Sequence, residues 1–106
     1  MHSFAQESAE ECNIIVPGVA SENTGAVKIE SSCRLVKINV QIFNRWGNLM
    51  FEEKEDIESP YPKEYFMNWK FKDVSEGVYF YIIEYTVIGQ NGNSWTGKKT
   101  GNITKI

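Results

Sequence analysis

From Asn13 onward, apolar residues recur with a period of two rather than 3.6. Val36, Ile38, Val40 and Ile42 alternate with Lys37, Asn39, Gln41 and Phe43, which predicts a strand with four aliphatic side chains on one face. Leu49 and Phe51 flank Met50 in a second run, after the segment Asn44-Arg45-Trp46-Gly47-Asn48. Gly47 can take the positive φ of a tight turn, so the two runs predict a hairpin. Residues 78–88, VYFYIIEYTVI, are aromatic and β-branched. A run apolar on both faces predicts a central strand covered on both sides, with Phe80 and Ile82 buried on one face and Tyr79, Tyr81, Ile83 and Tyr85 on the other. Gly77 before the run and Gly89-Gln90-Asn91-Gly92-Asn93 after it punctuate turns. Shorter strands are predicted at Asn13–Val16, Ala26–Ile29, Phe66–Phe71, and Trp95–Lys99 running on to Ile103–Ile106. Residues 52–64, charged and holding Pro60 and Pro62, predict a long surface loop. The sum is an all-β, antiparallel two-sheet β-sandwich of about seven strands.

Composition narrows what such a sandwich can do. A chain of 106 residues has room for one domain. Its 42% apolar and 24% charged residues argue against disorder, and no apolar run approaches the roughly 20 residues that cross a bilayer, so no direct membrane insertion is expected. Net charge of −3 disfavours nucleic acid as a partner. The only histidine, His2, stands at the chain start, which removes most catalytic triads and histidine-rich metal sites. No catalytic group, metal or cofactor is therefore expected. Residues 1–11, MHSFAQESAEE, are polar and without period, and are expected to be a flexible leader or cloning remnant before a domain at 12–106.

One segment is far more specific. Ile42-Phe43-Asn44-Arg45-Trp46-Gly47-Asn48, followed by Leu49-Met50-Phe51-Glu52, resembles the "IFNRWG…VFE" signature of the gliding-motility-associated C-terminal domain. This is the type B sorting domain of cargo of the type IX secretion system in Bacteroidetes. Val74-Ser75-Glu76-Gly77-Val78-Tyr79-Phe80-Tyr81-Ile82-Ile83 is similar to that family's "VPEGVYFYVI", and Gly101-Asn102-Ile103-Thr104-Lys105-Ile106 to its terminal "GTITLI". The blocks stand in family order over roughly residues 12–106. The family's opening "IPNAFTPNGDGIND" loop survives only in Ile15-Val16-Pro17-Gly18 and Asn23-Thr24-Gly25, without its acidic positions, and its "WDG" is reduced to Trp69-Lys70-Phe71. Many members end on a basic residue where this chain has Ile106.

The resemblance implies an immunoglobulin-like sandwich that is not an enzyme. It marks a larger cargo for export through the periplasm to the cell surface or beyond, by the type IX translocon and an outer-membrane partner of the PorP/SprF type. With no cargo attached, an excised domain is expected, monomeric in isolation. In this setting Arg45-Trp46-Gly47 is either a recognition knob or, as expected here, a turn whose Trp46 covers one end of the core while Arg45 stacks locally. Asn44, Gly77, Val78 and Tyr79 complete the structural motif. An oxidising periplasm permits a Cys12–Cys33 disulfide tying the ends of the first strand pair, the alternative being two free buried thiols. The last strand, with Lys98, Lys99, Gly101, Ile103, Thr104, Lys105 and Ile106, is the expected recognition element, an edge that a partner extends by strand addition. Glu52-Glu53-Lys54-Glu55-Asp56-Ile57-Glu58 reads as a solvated loop rather than a calcium site. The rival function is an adhesion or glycan-binding sandwich that stacks sugars on Trp46, Tyr61, Tyr65, Phe66 or Trp95.

Overall fold

A computed structural model describes residues 12–21, 23, 25–57, 62–68, 74–89 and 92–106. The expected leader, Tyr61 and residues 69–73 lie outside the described residues. The described chain is all β. Its strands are β1 (Ile14–Ile15), β2 (Val19–Ala20), β3 (Lys28–Ser31), β4 (Arg34–Phe43), β5 (Leu49–Asp56), β6 (Glu64–Phe66), β7 (Gly77–Ile88) and β8 (Ser94–Lys105). A three-stranded sheet in the order β1-β3-β6 packs on a five-stranded sheet in the order β2-β8-β7-β4-β5, an immunoglobulin-like sandwich. All neighbours are antiparallel except β2 and β8, which run parallel.

Alternation builds the core. Along β7, Tyr79, Tyr81, Ile83 and Val87 point inward and are buried. Their partners on β4 are Ile42, Val40 and Leu35, each at most 1% exposed, with Ile38 opposite Tyr85. Val27, Ile29 and Met67 close the core from the smaller sheet's side. The four-residue stripe expected at Val36, Ile38, Val40 and Ile42 breaks at its first member. The β4–β7 register shifts between Leu35 and Lys37, so Val36 is the extra residue of a bulge and Leu35 takes the core position.

Close packing explains two glycines in β8. Tyr85 lies opposite Gly97 and Tyr81 opposite Gly101, and each ring reaches across the glycine backbone. A Cβ on Gly97 would come within 2.5 Å of the Tyr85 ring, and one on Gly101 would overlap Tyr81. The absent side chains make room for the rings. Desolvation at this position raises the Tyr81 pKa above its ordinary value.

Several expectations are corrected. The loop expected at 52–64 begins as strand, because β5 runs to Asp56. Charges dominate it because β5 is the last strand of its sheet, where charged side chains discourage pairing with other chains. The strand expected at Phe66–Phe71 is β6, at Glu64–Phe66. Phe80 is 45% exposed and Ile82 is half-buried, since no element covers the outer face of the larger sheet among the described residues.

Two devices hold the margins of the sandwich, the first between the sheets and the second within the smaller one. Glu53 on β5 faces inward opposite Val40 and accepts hydrogen bonds from Tyr65 Oη on β6 at 2.5 Å, from the Asn68 backbone N–H at 3.2 Å and from Asn68 Nδ2. Cys12 and Cys33 form a disulfide across the end of the β1–β3 pair, with Cα atoms 5.4 Å apart.

The disulfide closes a separation of 21 residues, and its removal in a Cys12→Ala/Cys33→Ala variant is expected to cost ~3 kcal/mol in urea denaturation. Non-reducing mass measurement should show the intact chain lighter by two protons. The Tyr65 pKa is pushed well above its ordinary value, first by burial and then by its hydrogen bond to Glu53. A raised phenol pKa contributes stability that is complete below the unfolded value of about 10 and lost as pH climbs through the folded value. Wild-type stability should therefore fall above about pH 10, and Tyr65→Phe should flatten that alkaline limb.

Candidate functional site

The β4–β5 turn is built by Asn44 and Gly47. Asn44 Oδ1 accepts from the backbone N–H of Trp46 at 2.9 Å and of Asn48 at 3.0 Å, and Gly47 N–H donates to Asn44 O at 3.0 Å. Gly47 sits at φ 85°, where a side chain would be strained. With the turn closed by those two residues, Arg45 and Trp46 are projected outward. Trp46 is 72% exposed and the Arg45 guanidinium stands 4.7 Å from its ring centroid. The expected local stacking of Arg45 is present, but Trp46 does not cover the core, because the turn carries it past the end of the sheet.

Cross-strand pairing gathers further apolar groups on the same end. On the outer face Phe43 pairs with Leu49 and Phe80, and Val78 pairs with Thr104, which pairs in turn with Val19. Leu49, Phe80, Val78 and Val19 are all exposed. A β5 bulge at Met50 leaves that side chain exposed too. A cleft of about 290 Å³ lies beneath the knob, lined by Asn44, Arg45, Trp46, Met50, residues 74–78 and Tyr79. Exposed apolar side chains gathered at one end, rather than scattered singly, make this end a candidate docking surface.

The chain's last residues belong to the same end. Gly77 pairs with Lys105, Val78 with Thr104 and Tyr79 with Ile103. Ile103 is core at 1% exposure. Lys105 is only 7% exposed, and its Nζ donates to Val74 O at 2.8 Å while Tyr79 Oη donates to Ser75 O at 2.7 Å. The two side chains thus hold the 74–77 segment beside the knob. Thr104 N–H donates to Gly18 O and Ile106 N–H to Ala20 O, both at 2.9 Å. The structure thus brings Asn44, Arg45, Trp46, Gly47, Gly77, Val78 and Tyr79 together with Ile103, Thr104, Lys105 and Ile106. It places Gly101 beneath Tyr81, and Lys98 and Lys99 farther along β8.

The open edge expected at the chain's end is displaced. β2 covers Thr104 and Lys105, so among the described residues β8 is uncovered only toward its beginning. Sequence reasoning missed β2, whose two residues carry no strand signal, and missed Leu49, Phe80 and Val19 as surface groups. The outer face also holds a wide shallow depression bounded by Lys37, Lys54, Asp56, Glu84 and Lys98. Among the described residues no group of three or more His, Cys, Asp or Glu side chains could hold a metal ion. Of the rival's stacking platforms, Tyr65 is engaged with Glu53 and Trp95 is partly buried, while Phe66 is exposed.

Because Trp46 stands outside the core, Trp46→Ala is expected to change unfolding free energy by less than about 1 kcal/mol. A loss of ~3–5 kcal/mol, as for a buried tryptophan, would contradict this placement.

The family model of the CHU_C type IX secretion signal domain matches residues 13–104, which spans all eight strands but for the last residue of β8. No curated protein matches the chain. With the match running over nearly the whole sandwich, the chain belongs to the CHU_C type IX secretion signal domain family.

Proposed function

We propose that the chain is a non-enzymatic C-terminal signal that takes a larger cargo protein across the outer membrane through the type IX translocon, together with a PorP/SprF-like outer-membrane protein. The observation that carries the reading is the family match over residues 13–104. A signal of this class directs export toward the outer membrane and surface, with the periplasm as the compartment in transit. The "RWG" and "GVYFY" blocks favour the gliding-motility, type B branch of Bacteroidetes. The sorting domain occupies residues 12–106 and acts as a folded monomer.

The machinery reads the end where the knob, Val78, Phe80, Val19 and Ile106 are exposed together. Many cargoes must be recognised through one shared module, and a rigid apolar surface offers the same shape on each of them. Buried core residues cannot do this, and no catalytic constellation is required. Ile103 and Lys105 support the surface from behind, the first by packing and the second by its bond to Val74 O. Truncating Gly101–Ile106 would remove a core side chain and both bonds to β2, so it would test folding rather than recognition. Arg45 occupies one face of the Trp46 ring, which leaves less of it for a sugar.

The test fuses the chain to an inert exported reporter in a type IX-competent bacterium, with and without a PorP/SprF-like partner. Wild-type fusion should reach the surface only with the partner. The Trp46→Ser/Phe80→Ser fusion should fold yet leave the reporter in the periplasm. A wild-type reporter stranded under both conditions would remove the signal reading, and undiminished export of the double variant would remove this surface from it.

A further inference from the structure

β8 joins β7 along its whole length without a register shift, and its other side is covered by β2 only at Thr104 and Lys105. Thr104 and Ile106 turn their N–H groups to β2. Period-two alternation then turns the N–H and C=O groups of Thr96, Lys98 and Thr100 the same way, and no backbone meets them there among the described residues. Among the described residues the long stretch before Thr104 is thus a row of donors and acceptors without a backbone partner, continuous with the side on which β2 lies parallel.

The side chains beside this row are matched in sign. Lys98 pairs with Glu84 on the exposed outer face, and Lys99 pairs with Ile83 on the inner face, so the two ammonium groups straddle the strand. Neither has a carboxylate within salt-bridge distance among the described residues. Glu84 accepts instead from Asn39 Nδ2 at 3.3 Å. The outward neighbours Ser94, Thr96 and Thr100 are small and hydroxylated, while on the inner side the Tyr85 and Tyr81 rings lie over Gly97 and Gly101. An incoming strand thus meets only small β8 side chains beside Lys98 on the outer side.

We infer that the open stretch of β8 accepts an extended segment of a partner protein carrying two consecutive acidic residues, one carboxylate for Lys98 on the outer face and one for Lys99 on the inner face. Backbone pairing supplies the attachment and the acid pair supplies register. A second copy is the weaker occupant. The chain's own acidic strand β5 has Glu53 held by Tyr65 and Asn68, Glu52 held by Gln41 at 3.1 Å and Asp56 near Lys37 at 3.9 Å. The inference rests on the proposed secretion reading only for where such a partner is met.

The test titrates the chain with a short peptide of β-branched residues around a central Glu-Glu pair, and with its Lys-Lys counterpart, following backbone amide shifts. The Glu-Glu peptide should move the amides of Thr96, Lys98 and Thr100 first, weaken with added salt, and bind about tenfold tighter than the Lys-Lys peptide. Lys98→Glu/Lys99→Glu should invert that preference, and Lys98→Pro should abolish binding of either peptide. Equal binding of the two peptides, or shifts elsewhere than β8, would overturn the inference. So would concentration-dependent broadening of β8 and β5 amides together in the peptide-free chain, which would make a second copy the occupant. A chain that exports the reporter but ignores the Glu-Glu peptide sinks the edge and leaves the signal. One that takes the peptide but exports nothing does the reverse.

Discussion

β7 is hydrogen-bonded along both sides, to β4 over Arg34–Phe43 and to β8 over Ser94–Lys105, and its pleat can face the core in only one phase. A slip of one residue would exchange Tyr79, Tyr81, Ile83, Tyr85 and Val87 for Val78, Phe80, Ile82, Glu84 and Thr86 in the core, and would bury a carboxylate. Burial of an aliphatic side chain such as Ile83 or of Phe80 contributes a similar roughly 1.5–3 kcal/mol, so it is the carboxylate of Glu84 that decides the phase. The phase also fixes what the molecule shows. With one face of β7 committed inward and no described element covering the other, Phe80 and Val78 stand exposed beside Trp46.

Exposed aromatic surface on so small a domain needs rigid support, and the sandwich supplies it from several directions. Asn44 and Gly47 close the turn that projects Trp46, Lys105 and Tyr79 tether the 74–77 segment, and β2 pins the last residues of β8. At the opposite margin Glu53 gathers Tyr65 and Asn68 across the gap between the sheets. Polar side chains thus fix the periphery while the apolar rows hold the centre. For a secretion signal this arrangement offers the same shape whatever precedes it.

Period and turn chemistry carried most of the fold, because the long strands β4 and β7 have strong local signals and turn residues bound β8. The failures have local causes. A bulge at Val36 moves the core position to Leu35, and no alternation rule marks where a bulge falls. Charged residues 52–56 resembled a loop because an edge strand is also polar. Phe80 and Ile82 resembled buried groups because hydrophobicity does not say whether a sheet has a layer on both sides. Of the candidate site, Asn44, Arg45, Trp46 and Gly47 were legible through a motif. Their meeting with Val19 and Thr104 depends on parallel pairing by a two-residue strand, which leaves no trace in the pattern.

Urea denaturation of Ile83→Ala and Phe80→Ala measures the phase of β7 most directly. Ile83 is 1% exposed and Phe80 is 45% exposed. With Ile83 in the core and Phe80 outside it, Ile83→Ala should lose about 2–5 kcal/mol and Phe80→Ala less than about 1 kcal/mol. Equal losses, or the larger loss at Phe80, would mean that the outer face is covered and that the exposed end described here does not exist.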